Sequence, residues 1–320
     1  MRRRDPTEEA LNSLSELRRQ PDSERLRAFL SNRSNLLVAK AAKLAGDLRI
    51  AELIPDLAAA FHRLMANPAK LDKGCAGTSA IVVALYAMEY DSADVYLKGV
   101  RHIQMESAYG PPVDAAAQLR GDSALGLVGT RHPDALFEVV RLLADKEPRA
   151  RMGAARAIGS LVGETGELLL LLKVLAGDSE PDVLGECFSG MLASGSERSL
   201  RFVRAYLDHE DRAIAEAAIL ALGASRLPGA IDALRKKWGR TVQGPIRKTL
   251  LLALATARQD AALEFLLSLV AEGDSRVASE VVTALRTYRN EERVWKALEH
   301  AVEQRGDREL TDAFNTEFRR

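Results

Sequence analysis

The sequence predicts an all-α protein, an α-solenoid of about eight stacked antiparallel helical hairpins with short terminal capping helices. Three observations predict it. One pattern recurs along the chain, a small residue beside a large aliphatic one on a helix, as in AARAIGSL (Ala154 to Leu161), AAILALGASRL (Ala217 to Leu227) and VVTALR (Val281 to Arg286). Between these copies run plainly amphipathic helices with apolar residues at i, i+3, i+4 and i+7. The composition agrees: 47% of residues are hydrophobic but only 5% aromatic, which favours helix-on-helix packing over β-sandwiches.

Registering the small residue of each copy gives Ala124, Ala157, Gly190, Ala221, Ala253 and Ala284, a near-constant spacing that suits a two-helix repeat. Fainter copies lie upstream at Ala84 and Leu44, each separated from the next by a longer step. Each repeat pairs such a helix with an amphipathic one, exemplified by ALFEVVRLLA (Ala135 to Ala144), ELLLLLKVLA (Glu167 to Ala176), RSLRFVRAYL (Arg198 to Leu207) and AALEFLLSLV (Ala261 to Val270). Neither helix buries its apolar face alone, so neighbouring hairpins must stack into one core. A small residue at the crossing lets two helices approach closely, and Gly190, costing ~1 kcal/mol in helix propensity, marks an expected tight contact. Ala221→Leu is expected to overpack there, at a cost of roughly 1–3 kcal/mol. The turns DKEP, DSEP and GP place Asp or Ser as caps and Pro in the first turn of the following helix.

In chain order, residues 1–20 form an N-terminal capping helix, and 21–113 hold degenerate units with two long inter-unit loops. Residues 114–305 hold the regular units and 306–320 a polar C-terminal cap. The stretch PRARMGAARAIGSLVGETGELLLLLKVLAGDSEP (Pro148 to Pro181) has a Pro-x-Arg opening, an Ala-Ala and Ile-Gly helix and a Leu-rich partner. On these residues the chain resembles the HEAT-repeat (armadillo-type) family, most of all the short bacterial HEAT repeats also seen in phycobilin lyase subunits. The resemblance is good from about 114 to 303 and looser from 21 to 104. It implies a HEAT-like superhelix and a scaffold or binding platform rather than a catalyst.

Acids and bases balance at 45 each, so no global field attracts nucleic acid or anionic lipid. Cys75 and Cys187 form no CxxC, which fits a reducing cytoplasm and neither a disulfide framework nor a zinc site. The longest charge-free apolar run, Cys75 to Met88, is too short to cross a bilayer, so no membrane partner is expected. There is no Gly-rich phosphate loop and no GxSxG elbow. His102 and Glu106 stand four apart, yet no HxxxH or HExxH accompanies them, so a surface contact is expected rather than a metal site. Cys187 sits on an apolar helix with no His close in sequence, as a buried structural thiol would. No catalytic residue, cofactor or metal is expected.

Binding surfaces are therefore the expected working parts, with another protein as the partner. The two longer steps imply enlarged turns at Ala66 to Gly74 and about Gln104 to Pro112, on one edge of the stack and adjacent. They would form a ridge with Lys70, Asp72, Lys73, Arg101, His102, Gln104, Glu106 and Tyr109. On the concave face, the first helices of the hairpins would offer Lys40, Arg120, Arg156, Glu186, Glu216, Lys248 and Glu280. A second surface, from Ala233 to Gln259, lacks acids and carries Arg235, Lys236, Lys237, Arg240, Arg247 and Lys248 around Trp238. It offers an alternative, nucleic acid or another polyanion with Trp238 stacking on a base. A third reading is an accessory subunit or chaperone of a cofactor enzyme.

Overall fold

The computed structural model describes residues 14–107, 110–161, 163–242 and 244–318. The chain divides into two compact units, Met1–Leu161 and Val162–Arg320. The sequence division at 113/114 falls inside the first. The stretch read as one hairpin, Pro148 to Pro181, is divided between them.

The first unit runs α1 (Ser23–Leu30), α2 (Asn35–Asp47), α3 (Ile54–Met65), a single turn α4 (Pro68–Leu71), α5 (Ala76–Ala87), α6 (Ala93–Val100), α7 (Ala117–Gly129), α8 (Ala135–Leu142) and α9 (Pro148–Gly159). The first helices of successive hairpins, α2, α5, α7 and α9, pack in a row, and α3, α6 and α8 form the second layer. Leu26, Val38, Leu57, Phe61, Ile81, Leu85, Tyr96, Leu119 and Val139 fill the space between the layers, all fully buried. A two-stranded antiparallel ribbon, β1 (Met105–Glu106) and β2 (Val113–Asp114), stands between α6 and α7, with Met105 opposite Asp114 and Glu106 opposite Val113.

The second unit runs α10 (Glu164–Ala176), α11 (Pro181–Ala193), α12 (Glu197–Ala205), α13 (Arg212–Ser225), α14 (Pro228–Arg240), α15 (Pro245–Thr256), α16 (Asp260–Glu272), α17 (Ser275–Ala284), α18 (Glu292–Arg305) and α19 (Arg308–Phe318). Here α11, α13, α15 and α17 form the first-helix row. The C-terminal segment is helical as expected. It buries Leu310 and Phe314 and packs on α17 and α18. Of the N-terminal cap, residues 1–13 lie outside the described residues, and the remainder buries Leu14 and Leu17.

Local chemistry sets the helix starts. Pro occupies the first turn of α3, α9, α11, α14 and α15, where its missing N–H costs nothing. Ser196, Asp211 and Asp274 accept backbone N–H groups as side-chain caps. In DKEP and DSEP the caps are Glu147 and Glu180, and neither side chain bonds the helix. The Asp of each turn instead accepts the N–H two residues on, Asp145 from Glu147 and Asp178 from Glu180, both at 2.9 Å. These aspartates shape the turn and leave the capping to others.

The small residues act as expected, though not always at the registered position. Ala124, Ala157 and Ala253 are fully buried and Ala221 nearly so, while Gly190 and Ala284 are only half-buried. The closest backbone-to-backbone approach among the described glycines lies at Gly121 and Gly153, where α7 crosses α9. A Cβ placed on Gly153 would lie 2.2 Å from the Gly121 Cα.

Candidate functional site

The two long turns of the first unit are neighbours, joined by a buried polar network. Asp72 follows α4 and is fully buried at the N-terminus of α5. Its Oδ1 accepts from the Gly77 N–H at 2.8 Å and the Asn35 amide at 2.9 Å. Its Oδ2 accepts from the Thr78 N–H at 2.8 Å and the Thr78 hydroxyl at 2.7 Å. A buried carboxylate is tolerated when its lone pairs are filled, and the helix N-terminus adds favourable partial charge. These bonds also hold Gly74 and Cys75 in the left-handed region, at φ of +70° and +51°.

Glu106 accepts from the Gly74 N–H at 2.8 Å, and the Gln104 amide donates to the Asp72 carbonyl at 3.0 Å and to Glu106. The two turns are thereby clamped together. Asp114 continues the chain of bonds, its Oδ1 accepting from the Gln104 and Ala116 N–H groups at 3.1 and 3.0 Å. Arg120 sits beneath, buried. It donates to Asp114 at 2.7 Å and to the His102 carbonyl at 2.9 Å, and forks onto both Asp145 oxygens at 2.9 Å. A rigid guanidinium with its five N–H donors suits four acceptor oxygens gathered round it. Burial alone would raise the Asp114 pKa, but the two backbone donors and Arg120 outweigh it and hold the carboxyl below its ordinary range.

Among the expected ridge and first-helix residues, Asp72, Gln104 and Arg120 are thus buried and spend their polar groups inside the unit. Lys70, Lys73 and Arg101 are exposed, and Arg101 reaches Glu138 of α8 at 3.1 Å. His102 is half-buried against Gln104 at 3.0 Å rather than against Glu106, which is half-buried too. Tyr109 lies outside the described residues. Of the first-helix residues, Lys40, Arg156 and Lys248 are exposed. Glu186, Glu216 and Glu280 are half-buried, Glu216 beside Arg212 at 3.6 Å.

Sequence reading missed the apolar part of this surface. Ile103, Met105 and Val113, on and beside the β1–β2 ribbon, are 65%, 57% and 66% exposed. A cue lay in IQM and PPV, apolar residues within a Pro-Pro turn and outside any helical period. A second apolar feature stands in the other unit. Leu168, Leu172 and Leu175 of α10 are exposed at successive turns of one helical face.

The basic patch of the second unit is partly consumed by its own contacts. The Arg247 guanidinium lies 3.9 Å from the Trp238 ring centroid, and the indole is almost fully buried. Trp238 therefore packs, with one face taken by Arg247, rather than standing ready for a base. Lys237 pairs with Asp208 at 2.7 Å, and Arg235 lies over the Phe265 ring at 5.1 Å. Lys236, Arg240 and Lys248 remain exposed.

Burial pushes the thiols of Cys75 and Cys187 up to about 12, so neither is a thiolate at neutral pH. Among the described residues no group of three or more His, Cys, Asp or Glu side chains is placed to hold a metal ion. None of the described helices is long and apolar enough to cross a membrane.

Rows of paired helices, first helices in one layer and second helices in the other, define a helical-repeat protein. Residues 168–243 match the family model of HEAT repeats, so the resemblance read from the residues is found in the second unit. Two solved structures are similar, each at low sequence identity. One is the complex of CpcE and CpcF of phycocyanin lyase from Nostoc sp. PCC7120, at 17% identity, covering 92% of this chain and 95% of that chain with a TM-score of 0.38. The other is an engineered protein, also at 17% identity, covering 97% of this chain and 91% of that chain with a TM-score of 0.37. No curated protein matches the chain.

Proposed function

We propose that this protein is a non-catalytic scaffold that docks a partner protein on the ridge formed by its two long turns. The observation that carries the reading is the exposure of Ile103, Met105 and Val113 on a ribbon clamped from below by Gln104, Asp114 and Arg120. Apolar side chains with no internal role, held by a buried polar network, form a preorganised contact that loses little entropy on binding. Lys70, Lys73 and Arg101 supply a polar rim. Arg156 on the first-helix row of the first unit and Glu216 on that of the second each offer a further contact. Two buried free thiols suit a reducing compartment such as the cytoplasm.

The test is affinity capture with the full chain and with an Ile103→Asp, Val113→Asp variant, whose helicity is checked first by circular dichroism. A partner retained by the parent chain and lost by the variant is expected. An identical set of captured proteins would end the ridge as the docking surface. Among captured proteins, a pigment- or metal-bearing one would turn the scaffold into an accessory subunit of a cofactor enzyme.

A further inference from the structure

The first-helix row of the second unit opens between α15 and α17, leaving a groove of about 470 Å³, within the ~300–1,000 Å³ range of ligand sites. Its cause is legible in the helices. At the preceding crossing, a Cβ on Gly223 of α13 would lie 2.4 Å from the Ala253 carbonyl oxygen of α15, so those helices touch backbone to backbone. Neither α15 (PIRKTLLLALAT) nor α17 (SRVASEVVTA) contains a glycine. Side chains hold this pair apart.

The lining has a distinct chemistry. Leu251 is buried at its base, and Leu252 stands 41% exposed along the row from the equally exposed Leu220 of α13. Around this apolar floor stand Lys248, Arg276 and Arg286 against one carboxylate, Glu280, which Arg276 already engages at 3.4 Å. Arg286 is held only loosely, by Glu317 at 3.7 Å, and Lys248 has no ion-pair partner among the described residues. The groove is thus an apolar trough with a cationic rim in a protein with no net charge.

We propose that this groove receives an acidic amphipathic helix of a partner protein, an aliphatic side chain resting on Leu251 and Leu252 and carboxylates facing Lys248 and Arg286. A helix presents apolar residues at i, i+3, i+4 and i+7 and acids on the flanks, matching a trough with charged rims. A phosphodiester backbone would meet the cations but leave the leucine floor unused. The proposal rests on the scaffold reading only in taking the ligand to be a protein; it concerns a surface separate from the ridge.

Fluorescence anisotropy of the full chain with a dye-labelled synthetic helix tests it. The probe has about 16 residues, leucines at the i, i+3, i+4, i+7 positions, glutamates on the two flanks and alanines on the outer face, a composition that is marginally helical in water at this length. Saturable binding is expected, weakened at least roughly tenfold by Lys248→Glu and by Leu252→Asp, and falling with salt. Both positions are exposed, and each variant's thermal unfolding confirms that it folds. Ile103→Asp should leave probe binding unchanged, so failure at the groove and failure at the ridge are read separately. Equal binding of a probe with lysines in place of glutamates would overturn the proposal, as would indifference to both variants. Displacement of the probe by dodecanoate at lower concentration than by unlabelled peptide would make the groove a fatty-acid site and overturn it too.

Discussion

Two helix crossings of the same kind behave in opposite ways. Where α7 meets α9 in the first unit, Gly121 and Gly153 face each other and the backbones touch. Where α15 meets α17 in the second, no glycine stands on either helix and a groove remains. Both are crossings of consecutive first helices in a repeat. The difference lies in missing Cβ atoms, and it teaches that a glycine at the crossing, on one helix or both, separates backbones in contact from a pair with a groove between them. The closed crossing is also the one with a buried polar lock, since Arg120 of α7 grips Asp145 in the turn leading to α9. At the open crossing the link is of a lighter kind, the Tyr288 hydroxyl donating to the Ala255 carbonyl at 2.6 Å.

The largest effect should come from the lock. Arg120→Ala removes a buried guanidinium and strips two half-buried carboxylates of their charged partner, and is expected to cost about 3–5 kcal/mol in urea unfolding of the full chain. A loss below ~1 kcal/mol would show that Asp114 and Asp145 find other donors. Next, Gly153→Ala places a methyl on the Gly121 backbone and should cost about 1–3 kcal/mol. Thr283→Val, on the wall of the open groove, should stay within ~0.5 kcal/mol by the same measurement. Equal costs at the two places would erase the contrast between them.

A pH dependence sharpens the comparison further. Asp122 of α7 has its pKa raised to about 6, chiefly by burial, with the Gln118 hydrogen bond and the Arg156 charge opposing. Between about pH 4 and 6 the folded chain therefore binds more protons at this site than the unfolded one, and this contribution to stability falls as pH rises through that window. Asp122→Asn should flatten that slope and add on the order of 1 kcal/mol at pH 7. An unchanged stability–pH profile would place the Asp122 carboxyl in water. A small gain is expected at Ser123, whose hydroxyl is buried beside Gly99 with no hydrogen-bond partner among the described residues. Ser123→Ala should raise stability by about 0.5–1 kcal/mol, read as a small rise in the thermal midpoint.

Much of this was legible from residue order. The repeat spacing placed the first helices, and the two longer steps located both long turns and their adjacency. What residue order concealed is direction. Asp72, Gln104 and Arg120 are polar residues in or next to a turn, which normally face water, yet here they point inward because local donors and acceptors are completed by a partner from a neighbouring hairpin. Ile103, Met105 and Val113 face outward because, among the described residues, no layer covers the ribbon that carries them. Trp238 likewise looked available in a basic stretch, and Arg247, further along the same stretch, had already covered it.

By itself the sequence determined the helices, their pairing and the positions of the turns, because periodicity, Pro and small residues act over distances shorter than one hairpin. Only the tertiary structure decided which polar groups became internal struts, which apolar groups were left in solvent, and which crossing stayed open. Those outcomes depend on atoms contributed by a neighbouring hairpin or its turn, such as Asp145 to Arg120 and Asn35 to Asp72, and no local pattern encodes a partner at that range.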